Sequence, residues 1–323
     1  MAQPCDGGQR RPEPQPLTMQ PSLLAVDWGT SALRAALLAA DGTVLAEHAA
    51  QRGLLSVPPG AWAAAFEAEF GAWRAAHPGL PCLMAGMVGS RQGWVEAPYC
   101  ACPAGLDDLA AQLCWLPAAT AHTGRLAIVP GLCTQAAGLP DVMRGEETQV
   151  FGALRLLGLM GAEWVTLVLP GTHSKWVTVQ RGRITGFTTH MTGEVYALLR
   201  QQSILARGLP ADDELWDAEA FKAGVASAAQ PGGLLHHLFS VRTLGLFERA
   251  TGPALASRLS GLLIGEELRA QAPPAGQAVV LVGSPALTQR YQRALAQRGH
   301  PVQSVGAEAG WAGLLALAGT LHA

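Results

Sequence analysis

The chain is predicted to be an α/β protein of two domains, each built on a βββαβαβα core and facing the other across a cleft. Three observations predict this. First, three apolar strands follow one another with no helix between them: Leu23–Val26, Leu33–Leu38 and Val44–Ala50, turning at Gly29-Thr30 and Asp41-Gly42. Second, the second half restarts in the same way. There a strand over Trp164–Leu169 meets the polar turn Pro170-Gly-Thr-His-Ser-Lys175, followed by Trp176–Gln180, the turn Arg181-Gly182 and Ile184–His190. Third, helices and strands alternate after each of these openings, an order that simple βαβ repetition does not give. Likeness of architecture without identity of sequence marks a duplicated fold. The expected boundaries are a disordered tail over 1–20, a first domain over 21–158 and a second over 159–323. The last helix is placed to pack back on the first domain.

The remaining elements follow from periodicity and breakers. Trp62–His77 carries Trp62, Phe66, Phe70 and Trp73 at close to helical spacing, an amphipathic helix. Pro81–Met87 is an apolar strand running into Gly86-Met-Val-Gly-Ser-Arg-Gln-Gly-Trp94. Leu106–Leu113 reads as a short helix and Leu126–Val129 as a strand. A loop is expected after Pro130-Gly131, then a helix from about Gly145 to Leu159. In the second half Glu194–Ile204, Glu214–Val225 and Ser257–Gln271 are helical, the last with Gly261 and Gly265 spaced for close packing. Ala278–Val282 is a late strand ending in Gly283-Ser284, and Thr288–Gln297 and Glu308–Leu321 are closing helices.

Composition narrows the function classes. With 323 residues the chain can bury two cores, and 14% charged against 49% hydrophobic residues suits a compact enzyme. A net charge of −2, with no basic cluster beyond Arg10-Arg11, argues against a nucleic-acid partner. No apolar run is long enough to span a membrane, and the Gln- and Pro-rich start lacks the apolar core of a signal peptide, so a cytoplasmic location is expected. The six cysteines form no zinc spacing and read as reduced thiols. Oligomeric state stays open: Ser257–Gln271 can serve the core or the interface of a homo-oligomer.

Chemistry concentrates at the turns. Asp27-Trp28-Gly29-Thr30-Ser31 places a carboxylate at a strand end, followed by a tight turn of backbone N–H groups and hydroxyls. Such a turn can hold phosphate oxygens, and Asp27 can hold Mg²⁺ through water. Gly171-Thr172-His173-Ser174-Lys175 is its counterpart in the second half, and it contains Lys175, one of only two lysines in the chain. Gly283 and Ser284, straight after an apolar strand, allow a nucleotide to approach the backbone. Together they suit a nucleotide triphosphate lying between two domains, without the usual G-x-x-x-x-G-K-[ST] loop.

Four further segments make the reading specific: Gly86-Met-Val-Gly-Ser-Arg-Gln-Gly-Trp-Val-Glu-Ala-Pro98, Met143-Arg-Gly-Glu-Glu-Thr-Gln149, Leu169-Pro-Gly-Thr-His-Ser-Lys-Trp176 and Leu234-Leu-His-His-Leu-Phe-Ser-Val-Arg-Thr243. With the turns, they resemble the actin / sugar kinase / Hsp70 ATPase superfamily and, within it, the 2-dehydro-3-deoxygalactonokinase family, over nearly all of residues 22–320. The resemblance implies a two-domain actin-like ATPase (ribonuclease H-like) fold. It also implies ATP-dependent phosphorylation of the 6-hydroxyl of 2-dehydro-3-deoxy-D-galactonate, a small-molecule sugar acid, with Mg²⁺. Glu146 matches the acidic position of the Gly-Asp-Gln segment in related sugar kinases, with Glu for Asp, which points to it as the base that takes the hydroxyl proton. Asp141 is its rival. The sugar acid is expected on Ser90, Arg91, Gln92 and Trp94, with Arg91 on its carboxylate and Arg144 as second candidate. Two other readings compete: a kinase for another sugar or sugar acid, and a non-catalytic ATP- or sugar-sensing module.

Overall fold

The computed structural model describes residues 19–117, 124–136, 138–211, 216–271 and 273–321. Most of the expected tail, and the start of the helix expected at Glu214, lie outside these residues. The first half runs β1 (Pro21–Trp28), β2 (Leu33–Ala39), β3 (Val44–Ala50), α1 (Trp62–Ala76), β4 (Cys82–Ala85), β5 (Tyr99–Ala101), α2 (Leu106–Ala111), β6 (Cys114–Trp115), β7 (Leu126–Ile128), β8 (Gly131–Ala136), β9 (Leu139–Met143) and α3 (Glu146–Leu156). The second runs β10 (Val165–Leu169), β11 (Ser174–Gln180), β12 (Arg183–His190), α4 (Thr192–Gln202), α5 (Ala218–Ala228), α6 (Gly233–Leu246), α7 (Gly252–Gln271), β13 (Val279–Val282), α8 (Pro285–Gln297), β14 (Val302–Val305) and α9 (Glu308–Thr320).

The duplication is visible in the sheets. One has the order β3-β2-β1-β4-β7-β6 and the other β12-β11-β10-β13-β14. Numbered within each half by their place in the core, both read 3-2-1-4-5: an antiparallel meander continued by parallel strands. This is the duplicated actin-like α/β fold. β1 is buried on both faces, which is why it reads as an unbroken apolar run. Leu24, Val26 and Trp28 face Trp62, Phe66 and Phe70 of α1 on the outer side, while Leu23 and Ala25 face inward.

The inner core joins the halves. It holds Leu23, Ala25 and Leu83 of the first sheet, Leu167, Val177 and Val280 of the second, and Val150, Phe151, Leu314 and Leu317 of α3 and α9 between them. The α3–α9 crossing is a backbone contact made by glycines. A Cβ on Gly152 would lie 1.7 Å from the Ala309 carbonyl oxygen, and one on Gly313 would lie 1.8 Å from that of Thr148. The halves also meet where Ala104 and Ile184 exchange backbone hydrogen bonds of 3.0 and 2.8 Å.

Several elements differ from the sequence expectation. The loop expected after Pro130-Gly131 is the hairpin β8–β9, which joins β5 in a separate three-stranded sheet. Its Thr, Gln, Pro and Asp residues hide the alternation that announces a strand, and it turns near Gly138 at φ +81°. β14 carries no strand signal in the sequence because it is short and half exposed. The strand expected over Pro81–Met87 stops at Ala85, because Gly86 turns the chain at φ +93° into a 3₁₀ turn over Met87–Gly89. β11 begins at Ser174, so Ser174 and Lys175 belong to the strand and not to the turn. α7 begins at Gly252, earlier than expected, with Pro253 in the first turn where its missing N–H costs nothing.

Candidate active site

The site forms where parallel strands end side by side. Asp27 lies opposite Ala85 at the ends of β1 and β4. The chain leaves β4 at Gly86, where a Cβ would meet the Trp28 carbonyl oxygen at 2.8 Å and Asp27 Oδ1 at 3.3 Å. Gly145 (φ +106°) packs against that glycine, a Cβ there lying 3.2 Å from the Gly86 Cα. Two glycines thus let the N-terminus of α3 seat against the end of β4, which puts Glu146, the first residue of α3, beside Asp27. From the other half, Lys175 at the start of β11 reaches across, its buried Nζ lying 3.8 Å from Glu146 Oε1. Asp27, Glu146 and Lys175 therefore converge from three segments and both sheets.

Burial pushes the Glu146 carboxyl above its ordinary range, and the nearby Asp27 charge adds to this. The Lys175 ammonium and backbone N–H groups, including that of Arg144 (3.1 Å), oppose it. Its neighbour Glu147 is fully buried and accepts the Gly145 N–H on both oxygens, at 2.9 and 2.7 Å. Burial, and next the Glu146 charge, raise Glu147 from 4.5 to about 8. A carboxyl raised in the folded state holds its proton longer than in the unfolded chain. Glu147 therefore weakens stability progressively as pH rises from about 4.5 to about 8, and costs nothing below that window. The melting temperature of the wild type should fall between pH 5 and pH 8.5, and Glu147→Gln should flatten that fall. An equally steep fall in the variant would rule Glu147 out as its source.

The first phosphate-type turn is held from behind. The carbonyls of Gly29, Thr30 and Ser31 accept N–H groups from Leu54, Leu55 and Gly53 at 3.0, 3.3 and 3.1 Å. Carbonyls that would repel an anion are thereby occupied, while Thr30 and Ser31 stay exposed. Asp27 Oδ2 pairs with Arg34 at 2.5 Å. In the second turn Thr172 and His173 are exposed; His173 meets Glu194 at 2.5 Å, and the Thr172 carbonyl accepts the Glu194 N–H at 3.0 Å. Gly171 and Gly283 follow the parallel neighbours β10 and β13, so the second turn and the Gly283-Ser284 segment share one edge.

Other sequence candidates fall elsewhere. Ser174 is fully buried and donates inward to Glu267 at 2.7 Å, away from the turn. Both Asp141 oxygens are committed to Thr189, accepting its N–H (2.7 Å) and hydroxyl (2.6 Å), so Asp141 ties β9 to β12. Arg91 stands 87% exposed, 3.9 Å from Glu96, and Gln92 is exposed beside it. Trp94 packs on Phe66 with ring centroids 5.5 Å apart. Arg144 occupies the more telling position. One guanidinium N–H donates to the Ala97 carbonyl (2.8 Å) and the group stacks 4.3 Å over Tyr99, while buried Nε and Nη1 have no hydrogen-bond partner among the described residues. The buried Ser90 Oγ is likewise unpartnered. Glu267 and Glu194, which hold the second turn, were not legible as site residues because nothing in their local sequence marks them.

The 2-keto-3-deoxy-galactonokinase family model matches residues 27–317 of this chain. The chain belongs to that family. It is 38% identical over 300 residues to a protein of Rhizobium meliloti (strain 1021) named as a 2-dehydro-3-deoxygalactonokinase, covering 91% of this chain and 95% of that one. It is 36% identical over 284 residues to the 2-dehydro-3-deoxygalactonokinase of Escherichia coli (strain K12), covering 87% and 92%. A crystal structure from Sinorhizobium meliloti, described as a protein of the same activity, superposes with a TM-score of 0.84 at 36% identity over 93% of this chain and 99% of that one. Membership of this family makes the chain an ATP-dependent carbohydrate kinase. Among the described residues no helix is long and apolar enough to cross a membrane.

Proposed function

We propose that this kinase transfers the γ-phosphoryl group of ATP to the 6-hydroxyl of 2-dehydro-3-deoxy-D-galactonate, a step in D-galactonate breakdown. The observation that carries the chemistry is the convergence of Glu146 and Lys175 across the cleft at 3.8 Å. Phosphoryl transfer asks the protein mainly for positioning and for charge stabilisation. Glu146, its carboxyl raised by burial above the ordinary range, accepts the hydroxyl proton as the sugar oxygen attacks the γ-phosphorus and the bond to the β-phosphate oxygen breaks, releasing ADP. On taking the proton Glu146 loses its charge, and Lys175 is freed to face the transferring phosphoryl oxygens. The exposed hydroxyls of Thr30, Ser31 and Thr172 flank the phosphates from the two halves.

The donor set fits Mg²⁺ as a nucleotide-borne ion. No group of three or more His, Cys, Asp or Glu side chains capable of holding a metal occurs among the described residues, whereas Asp27 stands at the strand end with one oxygen paired to Arg34. Magnesium commonly takes one or two carboxylates and completes its shell with phosphates and water. Asp27 would hold it, and the ion would neutralise phosphate charge.

The carboxylate of the sugar acid falls to Arg144 in this reading, and not to the solvent-facing Arg91. Buried guanidinium N–H groups without partners are costly, and a carboxylate supplies a charged acceptor to one of them. Coupled ADP release across a panel of sugar acids and their neutral analogues tests the assignment. The galactonate-derived acid should be the best substrate. Arg144→Met should raise its KM by about tenfold or more, while the KM for ATP stays within about twofold. A neutral sugar as best substrate, or an unchanged KM in Arg144→Met, would move the acid-binding site elsewhere.

A further inference from the structure

We propose that Glu267 is the positioning residue for the ATP side of the cleft. It sits in α7, is 2% exposed, and accepts four side-chain donors. Oε1 takes the Ser174 hydroxyl at 2.7 Å and the Trp176 indole N–H at 2.6 Å. Oε2 takes the Tyr291 hydroxyl at 2.7 Å and that of Thr192. An ionised carboxylate suits such a hub, since it offers about four acceptor sites and asks for no acceptor itself.

The four donors come from the three segments that frame the nucleotide turns. Ser174 and Trp176 open β11, directly after the Gly171–His173 turn. Thr192 opens α4, whose next two residues clamp that turn. A Cβ on Gly193 would lie 2.3 Å from the Gly171 carbonyl oxygen, and Glu194 holds Thr172 and His173. Tyr291 belongs to α8, which follows Gly283-Ser284. Thr192 and Tyr291 also border a small cavity whose wall includes Gly171 and Arg290. One buried carboxylate thus fixes the second turn, the helix that clamps it and the helix behind the third nucleotide segment. It touches none of the reacting atoms.

In Glu267→Gln the amide has one acceptor oxygen, which can keep Trp176, a donor only. The amide N–H groups then face Thr192 and Tyr291, whose hydroxyls must turn to accept. The clamp loosens without a change of volume.

The inference rests on the reading that the Gly171–Lys175 segment serves ATP, so the experiment includes an arm for that reading alone. Full-length Glu267→Gln, Tyr291→Phe and Lys175→Met are compared with wild type by steady-state kinetics with each substrate varied, alongside melting temperature. Glu267→Gln should raise the KM for ATP by about tenfold, and Tyr291→Phe by about threefold, with the KM for the sugar acid unchanged within about twofold. Tyr291→Phe keeps the test available if Glu267→Gln does not fold. Folded variants that lose thermal stability but keep both KM values would overturn the proposal and leave Glu267 a core strut. If Lys175→Met raises the KM for ATP and the other two do not, the clamp alone fails. Should Lys175→Met leave it unchanged, the assignment of this segment to ATP falls, and the clamp with it.

Discussion

Glu146→Gln should lower kcat by about 10²–10⁴-fold while changing both KM values little. The substitution keeps size and the position at the head of α3 but removes the ability to take a proton. It also removes the anion that Lys175 faces at 3.8 Å, so Lys175 remains free to meet phosphate and ATP binding should hold or improve. The pH profile supplies a second readout. Because burial raises the Glu146 carboxyl, the acidic limb of the wild-type kcat profile should lie above the range of an ordinary carboxylate, and that limb should vanish in the variant. Retention of wild-type kcat in a folded Glu146→Gln enzyme would exclude it as the base. Asp141 is a weak replacement, since both its oxygens already serve Thr189.

What the sequence made legible was the part of the site carried by local pattern. A strand, a glycine with hydroxyls and a second strand mark a tight turn wherever they occur, and Asp27 and Gly171–His173 are candidates on that basis. Glu146 is legible through its place at the start of a helix and the resemblance of its segment to related kinases, since the helix dipole alone favours an acid there whatever its role. Ser174 shows where local pattern stops. Placed in a turn, its hydroxyl could face phosphate; placed as the first residue of β11, it must share a face with Trp176 and point at Glu267. A shift of strand start by two residues decides between the cleft and the core. Arg91 and Arg144 differ in a similar way. Both sit near strand ends in the chain, and only packing against Gly89, Ala97 and Tyr99 shows that Arg144 is the one held inside. The hairpin β8–β9 stayed hidden because it pairs with the three-residue β5, a partner too short to announce itself.

The largest loss of stability is expected from one methyl group at the α3–α9 crossing. A Cβ on Gly152 would lie 1.7 Å from the Ala309 carbonyl oxygen, whereas an ordinary carbon–oxygen contact is about 3.3 Å or longer. The obstacle is helix backbone, which cannot rotate away as a side chain can, so α3 and α9 must separate. Both helices lie in the core that joins the two sheets, so separation is felt in each half. Overpacking in a core costs about 1–3 kcal/mol, occasionally more, and this contact belongs at or above the upper end. Gly152→Ala and Gly313→Ala should each lower the melting temperature by about 5 °C or more. Activity should fall as well, because α3 begins at Glu146 and any shift of the helix moves this proposed base relative to Asp27 and Lys175. Gly310→Ala is the control that isolates the cause. It lies on the same helix, α9, three residues from Gly313, yet a Cβ there meets nothing within 4 Å. Removing its backbone freedom should stabilise the helix by up to about 1 kcal/mol. Opposite signs at Gly310 and Gly313 would tie the effect to the crossing; equal losses at both would mean that α9 tolerates no change and that the close approach of the two backbones is not what sets its sequence.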